Sequence, residues 1–379
     1  MSNVVQFGKL VRSARRSKIP RISQTQLAKK VGVTQSFISD LENGHLRLGP
    51  RDPEILKSIA DYLDISLENS VSSAISVAPA QPAEFTSLNE IPSGFRDKIR
   101  TNRFVVTMEI HPPKGVGLKR FQKEAMELKN FADAVNVTDN QRALLKLSPV
   151  AGSRMLLEFG IEPICQIACR DRNRLGLQSE ILSAYVLGVR NFFIIMGDPP
   201  EIGDHPDAQP VFDLHSVQML EVAARLRTGW DMSGNRLNKS PSDIFLGSAC
   251  NPFPLDTAVE VSKIRAKMRA GAEFFQSQPV YEPARFREFL KLVKPYGAKI
   301  IAGYIPILDH KTLEMLTGIP GIRLPDRIAS HLSKTDDIGR EGLAIAIDHI
   351  HELSEFSDGI HLMNISKVEP SLKVMEGMG

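Results

Sequence analysis

The chain of 379 residues contains only three cysteines and one tryptophan, and aromatic residues make up 6% of it. An odd, sparse set of cysteines argues against a disulfide framework and predicts a reducing, cytoplasmic environment. The sequence also lacks an apolar run near the ~20 residues that a membrane-spanning helix needs, and it lacks a signal-peptide core. These absences argue against disulfide-stabilised secreted domains and membrane-spanning proteins.

Charge is unevenly distributed along the chain, although the net charge is only +3. Residues 1–66 contain 11 Lys/Arg and 6 Asp/Glu, whereas the remaining residues contain 36 and 38. A basic N-terminal segment suits a polyanionic partner such as nucleic acid, and a small solvated domain can also reach this charge.

The basic segment contains the pattern of two short helices joined by a tight turn, in the stretch SQTQLAKKVGVTQSFISDLENG. Apolar residues recur at helical spacing on both sides of Gly32, which we expect to end the first helix with a positive φ. Thr34 can cap the second helix by accepting a backbone N–H bond. Polar residues occupy the other faces, where the start of the second helix can reach base edges in a major groove.

This stretch resembles the phage-repressor (Cro/C1 or XRE) helix-turn-helix family over about residues 6–66. The resemblance implies that Gln24 and Asn43 contact phosphates and that Gln35, Ser36 and Asp40 face bases. It also implies a buried ion pair between Arg15 and Glu42, a double-stranded DNA operator as partner, and a homo-oligomer, since such domains usually bind DNA as dimers. A small helical module for protein interaction or dimerisation is the alternative.

The composition changes after Ile65 to a stretch rich in Ser, Ala and Pro without a sustained period, which predicts a flexible linker. We therefore predict a helix-turn-helix domain over residues 1–68, a linker over 69–97 and a larger domain over 98–379.

In the larger domain, apolar strand-like runs alternate with amphipathic helical stretches, which predicts a parallel sheet. The runs are FVVTMEI, DAVNVT, PICQIAC, NFFIIMG, DIFLGSA, FFQSQPV, KIIAGYIPI and GIHLMNI. Eight repeats predict a (β/α)₈ TIM barrel behind a small all-α domain. A doubly wound sheet is the alternative, although no G-x-G-x-x-G motif follows the first strand.

The active site of such a barrel lies at the C-terminal ends of its strands. The residues read at those ends are Glu109, Thr138, Gln166, Asp198, Asn251, Gln278 and His361. Carboxylates and amides together predict a polar pocket for acid–base chemistry on an extended heterocyclic ligand. We see no Ser-His-Asp arrangement and no metal-ligand spacing, and we predict no metal site.

The stretches MEIHPPKG, NVTDN, CQIACRDRNRLGLQSEILSAYVLGVRNFFIIMGDPP and GAEFFQSQPVY resemble the methylenetetrahydrofolate reductase family over nearly all of residues 100–370. The resemblance implies FAD as cofactor and reduction of 5,10-methylenetetrahydrofolate to 5-methyltetrahydrofolate, a step of one-carbon metabolism and methionine biosynthesis.

The resemblance also implies a role for each site residue. Glu109 matches the general acid, and Asp198 matches a residue near the flavin ring and the pterin; a helix N-cap is the alternative for Asp198. The residues implied in cofactor binding are Thr138, Gln166, Asp198, Asn251 and Lys267, the last as a cation at the FAD diphosphate. The residues implied in substrate binding are Gln278 and Lys367. A solvated helix-face lysine is the alternative for Lys267.

Several positions depart from the family pattern. Met196 begins the M-G-D stretch where many members have R-G-D, and Gln166 replaces a histidine. His310 stands where a phenylalanine stacks on nicotinamide and folate, and Lys367 replaces an arginine, which binds carboxylates in a bidentate manner. We therefore expect flavin and folate binding, whereas the electron donor is NAD(P)H or a partner flavoprotein or ferredoxin.

Three functions remain open for the fused chain. It is an active reductase whose DNA-binding domain regulates one-carbon genes, or a transcriptional regulator that uses the barrel as a folate or flavin sensor. The third is an enzyme whose N-terminal domain is vestigial or binds protein.

Overall fold

The computed structural model describes residues 3–18, 20–45, 52–65, 94–318, 322–365 and 367–378. The chain divides into two compact units, Met1–Thr86 and Ser87–Gly379. Most of the predicted linker, up to residue 93, lies outside the described residues. Among the helices of the described ranges, none is both long and apolar enough to cross a membrane.

The described part of the N-terminal unit contains four helices: α1 (Asn3–Ser17), α2 (Gln24–Val31), α3 (Gln35–Asn43) and α4 (Asp52–Leu63). They enclose one apolar core, whose members include Phe7, Val11, Leu27, Ile38, Leu41, Leu56 and Ile59. Helices α1 and α3 approach closely at Gly8, where a Cβ atom would lie 1.9 Å from the carbonyl oxygen of Leu41. Only glycine permits this contact.

The predicted turn between α2 and α3 is confirmed. Gly32 ends α2 with φ = 73°, and the hydroxyl of Thr34 accepts a hydrogen bond from the backbone N–H of Phe37 at 3.2 Å. Ser23 and Gln26 add a reciprocal capping box at the start of α2. Local capping therefore fixes where the two helices begin and end.

The described part of the second unit forms a closed parallel barrel of eight strands, in which each strand pairs with the next and β8 pairs with β1. The strands are β1 (Val105–Ile110), β2 (Ala134–Val137), β3 (Pro163–Ala168), β4 (Asn191–Ile195), β5 (Phe245–Cys250), β6 (Phe274–Pro279), β7 (Ile300–Tyr304) and β8 (Gly359–Leu362). Seven lie within one of the eight predicted runs, and β5 extends one residue beyond its run, to Cys250. The TIM-barrel prediction is confirmed, and the doubly wound alternative is wrong.

Helices surround the barrel; all but the first cover its outside, and the first packs at one end of it. They are α5 (Gly94–Arg100), α6 (Lys119–Leu128), α7 (Pro149–Glu158), α8 (Arg174–Val186), α9 (Ser216–Arg227), α10 (Thr257–Arg269), α11 (Pro283–Val293), α12 (His310–Gly318), α13 (Asp326–Lys334), α14 (Ile338–Ser354) and α15 (Glu369–Met378). Helix α5 begins inside the segment predicted as linker. Its Phe95 and Ile99 are buried against the first inward residues of the strands, including Val105 and Phe274. This packing makes residues 94–97 part of the barrel unit.

A layer of polar side chains crosses the barrel interior, next to the apolar cluster that Phe95 and Ile99 form with the strands. The side chains of Asn136 and Gln276 exchange hydrogen bonds of 2.7 and 3.0 Å, and Thr107 lies 3.0 Å from Nδ1 of His361. His361 was predicted at the mouth of the barrel. The structure instead places it opposite Thr107 in the strand register, where burial lowers its pKa to about 3. It is therefore a neutral interior side chain.

Candidate active site

Glu109 lies near the end of β1 with only 4% of its surface exposed. One carboxylate oxygen accepts a hydrogen bond from Gln141 at 3.1 Å, and the other accepts one from Gln166 at 3.3 Å. Burial raises the pKa of Glu109 to about 7, against the lowering effect of these two amides. A carboxyl group with this pKa holds a proton near neutral pH and can still release it, as a general acid must.

His111 follows on the same strand end, with Nε2 3.8 Å from a Glu109 oxygen. Nε2 also lies 2.6 Å from the carbonyl oxygen of Asn364, and Nδ1 lies 3.1 Å from the hydroxyl of Thr138. Because a carbonyl oxygen can only accept, Nε2 carries the proton and Nδ1 accepts from Thr138. Burial lowers the pKa of His111 to about 4, so the ring is neutral at neutral pH.

Asn364 connects the first and last strands at the mouth. Its side-chain amide donates to the backbone oxygen of Glu109 at 2.6 Å, and its side-chain oxygen accepts from Ser371 at 2.7 Å. Glu109 is thus held through its main chain as well as through its carboxylate. A group fixed at both points retains its orientation towards a bound substrate.

Asp198 is exposed just after β4. Its carboxylate accepts a hydrogen bond of 2.9 Å from the backbone N–H of Arg142, in the loop after β2. The turn that follows, Pro200–Ile202, is preceded by Pro199 at its N-cap. The alternative interpretation of Asp198 as a helix N-cap is therefore wrong, and its carboxylate stabilises a neighbouring loop at the barrel mouth.

Arg170 joins the loops after β2, β3 and β4. Its guanidinium group is buried and forms two bonds to Asp171, at 2.6 and 2.7 Å. It also donates to the carbonyl oxygen of Asp198 at 2.9 Å and to that of Asn140 at 3.3 Å. One planar, five-donor group therefore fixes the relative positions of these loops.

A second arginine continues this network. Asp139 is buried and accepts hydrogen bonds from Arg172 at 2.7 Å and from the backbone N–H of Ala168 at 2.9 Å. Arg172 also contacts Glu180 on α8 at 3.4 Å. The C-R-D-R-N stretch is thus a structural connection between loops, rather than a set of free charges.

The loop after β2 has an unusual backbone. Asn140, Arg142 and Ala143 have φ values of 45°, 56° and 54°. The left-handed region costs a non-glycine residue about 1–2 kcal/mol. The bonds from Asp198 and Arg170 stabilise this conformation, which places Gln141 beside Glu109.

The other four residues predicted to bind the cofactor each contact a different part of the barrel mouth. Thr138 is buried against His111, and Gln166 contacts Glu109. Asn251 accepts a hydrogen bond from the backbone of Phe253 at 2.9 Å and so stabilises its own loop. The ammonium group of Lys267 donates to the carbonyl oxygen of Ala249 at 2.6 Å, and burial lowers its pKa, so it is not a solvated lysine of a helix face. Its role at the FAD diphosphate stays a prediction.

The predicted substrate residues lie at the opposite side of the mouth. Gln278 is exposed at the end of β6, and Lys367 is exposed after β8. Lys367 lines a cavity of about 400 Å³ together with Lys311 and Lys373. His310, at the start of α12, is exposed. The roles of these residues stay predictions.

The N-terminal unit presents its own polar surface. The predicted ion pair is present and buried, with Arg15 bonded to both carboxylate oxygens of Glu42 at 2.6 and 2.9 Å. Gln24 donates to Glu42 at 2.9 Å and accepts from Gln35 at 2.7 Å. The other predicted DNA-contacting residues, Ser36, Asp40 and Asn43, are exposed. The ion pair therefore supports a chain of side chains that ends at the start of α3.

Sequence reasoning missed His111, Gln141, Arg170 and Asn364. His111 had a usable signal, because strand alternation places it on the same face as Glu109. Gln141 and Arg170 act through loop conformations, and Asn364 acts across the closure of the barrel. Such contacts leave no periodic pattern in a single sequence.

Two family models match the chain. The methylenetetrahydrofolate reductase model matches residues 94–379, and a helix-turn-helix model matches residues 21–69. Methylenetetrahydrofolate reductase 2 of Schizosaccharomyces pombe is 25% identical over 288 residues, which are 68% of this chain and 41% of that protein. A probable methylenetetrahydrofolate reductase (NADPH) of Caenorhabditis elegans is 22% identical over 240 residues, 61% of this chain and 34% of that protein. The chain thus spans less than half the length of these relatives.

A solved structure shows the same fold. It is an uncharacterized protein from Clostridium thermocellum, described as binding two copies of 5-methyl-5,6,7,8-tetrahydrofolic acid. Its sequence identity is 18% and its TM-score 0.54, over 75% of this chain and 98% of that one. The family model covers most of the chain, and the closed barrel with Glu109 at its mouth agrees with it. The protein therefore belongs to the methylenetetrahydrofolate reductase family and carries a helix-turn-helix domain ahead of its barrel in the sequence.

Proposed function

We propose that the barrel reduces 5,10-methylenetetrahydrofolate to 5-methyltetrahydrofolate with FAD, and that the helix-turn-helix domain binds operator DNA of one-carbon genes. The observation that carries the first half is the buried Glu109, whose pKa is raised to about 7 at the mouth of the barrel. Its protonated form would donate to a nitrogen of the methylene bridge, so that the ring opens to an iminium cation. Gln141 and Gln166 would then stabilise the carboxylate left behind.

The residues at the mouth fit the ring end of a flavin. The Gln278 amide and the Asp198 carboxylate are both exposed there, and Asp198 would stabilise positive charge on the substrate. Bound FAD, once reduced by the electron donor, would supply the hydride that completes the reduction and would itself return to the oxidised form. Lys267 donates one N–H to Ala249, and its two other donors would be the ones that bind the diphosphate. The chain's own contributions are therefore the proton at Glu109 and the binding of the heterocycle.

The test begins with the purified full-length protein under anaerobic conditions. We expect flavin absorbance that is bleached by chemical reductant or by a physiological donor and restored by methylenetetrahydrofolate. Separate reductions with NADH, with NADPH and with a reduced ferredoxin identify the electron donor. Protein that takes up no FAD, or reduced protein that methylenetetrahydrofolate does not reoxidise, contradicts the proposed reductase.

A second function is favoured by the placement of His310, which is exposed on α12 where the family resemblance expects a stacking phenylalanine. A barrel that binds folate and flavin without turnover would act as a sensor for the DNA-binding domain. Linkage then requires folate and operator DNA to alter each other's affinity by the same factor. Turnover with unchanged operator affinity supports the enzyme; coupled affinities without turnover support the sensor.

Each predicted domain is assigned one role. We propose that residues 1–68 bind DNA, that 69–97 connect the two units, and that 98–379 catalyse, with α5 assigned to the barrel because its apolar side chains pack there. We also propose a homo-oligomer, since helix-turn-helix domains of this type usually bind DNA as pairs.

A further inference from the structure

The outer face of α8 is apolar and exposed. On the inner face of this helix, Leu177, Ile181 and Ala184 are buried in the core of the barrel unit. On the opposite side, Leu175 and Val186 expose 74% and 63% of their surface. A surface helix of a globular domain ordinarily has one apolar face, towards the core, and one polar face, towards solvent. Two opposite apolar faces indicate that α8 packs on both sides.

A groove of about 650 Å³ borders this outer face. It lies between α8, the end of α9 and the segment after α9, which an antiparallel bridge between Trp230 and Arg236 folds back on itself. The backbone N–H of Met232 donates to the side-chain oxygen of Gln178 at 2.8 Å and holds this segment against α8. The apolar residues of the lining are Leu175, Leu182, Val186, Leu187, Leu226 and Leu237.

The groove carries little charge. Among the described residues of its lining, Asp231 is the only charged one, and its carboxylate accepts hydrogen bonds of 2.7 and 2.9 Å from the backbone and side chain of Asn235. The two charged residues of α8, Arg174 and Glu180, pair within the chain. Because these charges already have partners, the groove and the outer face of α8 suit an apolar protein surface.

The spacing of residues along the outer face is the same in both directions. Leu175, Ser179, Leu182 and Val186 are separated by four, three and four residues, and on a helix they lie within a sector of about 60°. In an antiparallel pair of such helices, Leu175 meets Val186 of the partner subunit. The small Ser179 likewise meets Leu182 of the partner subunit. A two-fold interface requires this self-complementarity, because the same surface patch contributes both sides of it.

We propose that α8 forms the centre of a homodimer interface, in which two copies of the chain pair their α8 helices antiparallel across a two-fold axis. The exposed Leu175 and Val186 of each copy pack as a ridge into the groove of the other. The occupant of the groove is therefore a second copy of this chain. This inference is independent of the proposed reductase and DNA-binding functions, and its failure leaves both in place.

The test measures the mass of the full-length protein at micromolar concentration by sedimentation velocity. Leu175→Glu and Val186→Lys each place an unpaired charge in the interface, and each should halve the mass of the associated species. Both positions are exposed in one copy, so we expect the variants to keep the melting temperature of the barrel. Leu292→Glu is the matched control and should leave the mass unchanged, because Leu292 is exposed on α11 and does not line the groove.

The double variant Leu175→Glu/Val186→Lys tests the antiparallel pairing itself. Positions 175 and 186 are about 16 Å apart along one helix, which is too far for an ion pair within one copy. Only the antiparallel dimer brings the introduced carboxylate of one copy next to the introduced ammonium of the other. We expect the double variant to recover association, with a dissociation constant at least about tenfold below that of either single variant.

Three outcomes would overturn the proposal. If the unmodified protein has the mass of one chain, the groove belongs to a different partner. If the associated species keeps its mass in both single variants, its interface lies elsewhere on the chain. If the single variants dissociate and the double variant does not recover, the two α8 helices do not pair antiparallel.

Discussion

Nε2 of His111 lies 3.8 Å from the Glu109 carboxylate, yet its proton is directed to the carbonyl oxygen of Asn364, only 2.6 Å away. The nearest imidazole is therefore neutral and does not provide a cation that would favour the ionised carboxylate. Burial then keeps the pKa of Glu109 high. Glu109 thus keeps its proton near neutral pH in part because the neighbouring His111 ring stays unprotonated and neutral.

Glu109→Gln should keep the flavin and lose turnover. The amide preserves shape and hydrogen bonding but cannot donate the proton, so we expect kcat to fall by roughly 10²–10⁴-fold. Glu127→Gln on the exposed face of α6 is the control. Stopped-flow reoxidation of the reduced protein by methylenetetrahydrofolate measures the effect. Turnover near that of the unmodified protein would rule Glu109 out as the acid.

The free energy of unfolding should depend on pH in the way that the raised pKa of Glu109 requires. The pKa of Glu109 is about 7 in the folded protein against an ordinary value of 4.5, so the folded state holds its proton longer than the unfolded state. The stability contribution is complete below pH 4.5 and is lost as the pH rises to about 7. The loss is about 3 kcal/mol. Melting temperatures at pH 5 and pH 8 should show Glu109→Gln gaining stability relative to the unmodified protein at the higher pH. An equal difference at both pH values would contradict the raised pKa.

Gly203→Ala should disturb the loop after β2. The new Cβ atom would lie 2.0 Å from the carbonyl oxygen of Ala143, so the loops after β2 and β4 must separate. We expect a loss of about 1–3 kcal/mol in barrel stability and weaker folate binding, because Gln141 moves away from Glu109. Gly318→Ala is the control, since a Cβ atom there meets nothing within 4 Å. Unchanged melting and affinity in Gly203→Ala would show that the loops are not in contact in solution.

Arg15→Met should unfold the N-terminal unit before the barrel. The substitution leaves the buried Glu42 carboxylate without its guanidinium partner, at a cost of about 3–5 kcal/mol. Arg16→Met changes an exposed residue of the same helix and should melt normally. Differential scanning calorimetry of the full chain resolves the two transitions. A first transition at the same temperature in both variants would contradict the structural role of the pair.

Gln35→Ala should reduce sequence discrimination by the helix-turn-helix unit. If Gln35 contacts an adenine, its loss costs about 1–3 kcal/mol at that base pair. Lys29→Gln should instead weaken binding to all sequences if Lys29 contacts phosphate. Affinities for a selected operator and for its single-base variants, at fixed salt, separate the two effects. Equal discrimination in Gln35→Ala would exclude it as a base contact.

The barrel was predictable from sequence because each strand is a short apolar run between amphipathic helical stretches. The same logic placed Glu109 correctly at the end of β1. The prediction that His361 lies at the barrel mouth was wrong. How deep a side chain lies inside the barrel depends on the register between neighbouring strands, and a single sequence does not show that register. Sequence reasoning also missed α5, since Phe95 and Ile99 follow a Ser- and Pro-rich stretch that conceals them. Arg170 and Asn364 act between segments distant in sequence, which only the folded chain brings together.

The bonds of Arg170 have an evolutionary consequence. Because one buried guanidinium group binds the loops after β2, β3 and β4 together, an insertion or a change of length in any of them disturbs the other two. These loops must therefore diverge jointly or remain as they are. New ligand preferences can arise at lower cost in the loops after β1, β7 and β8, which this arginine does not connect.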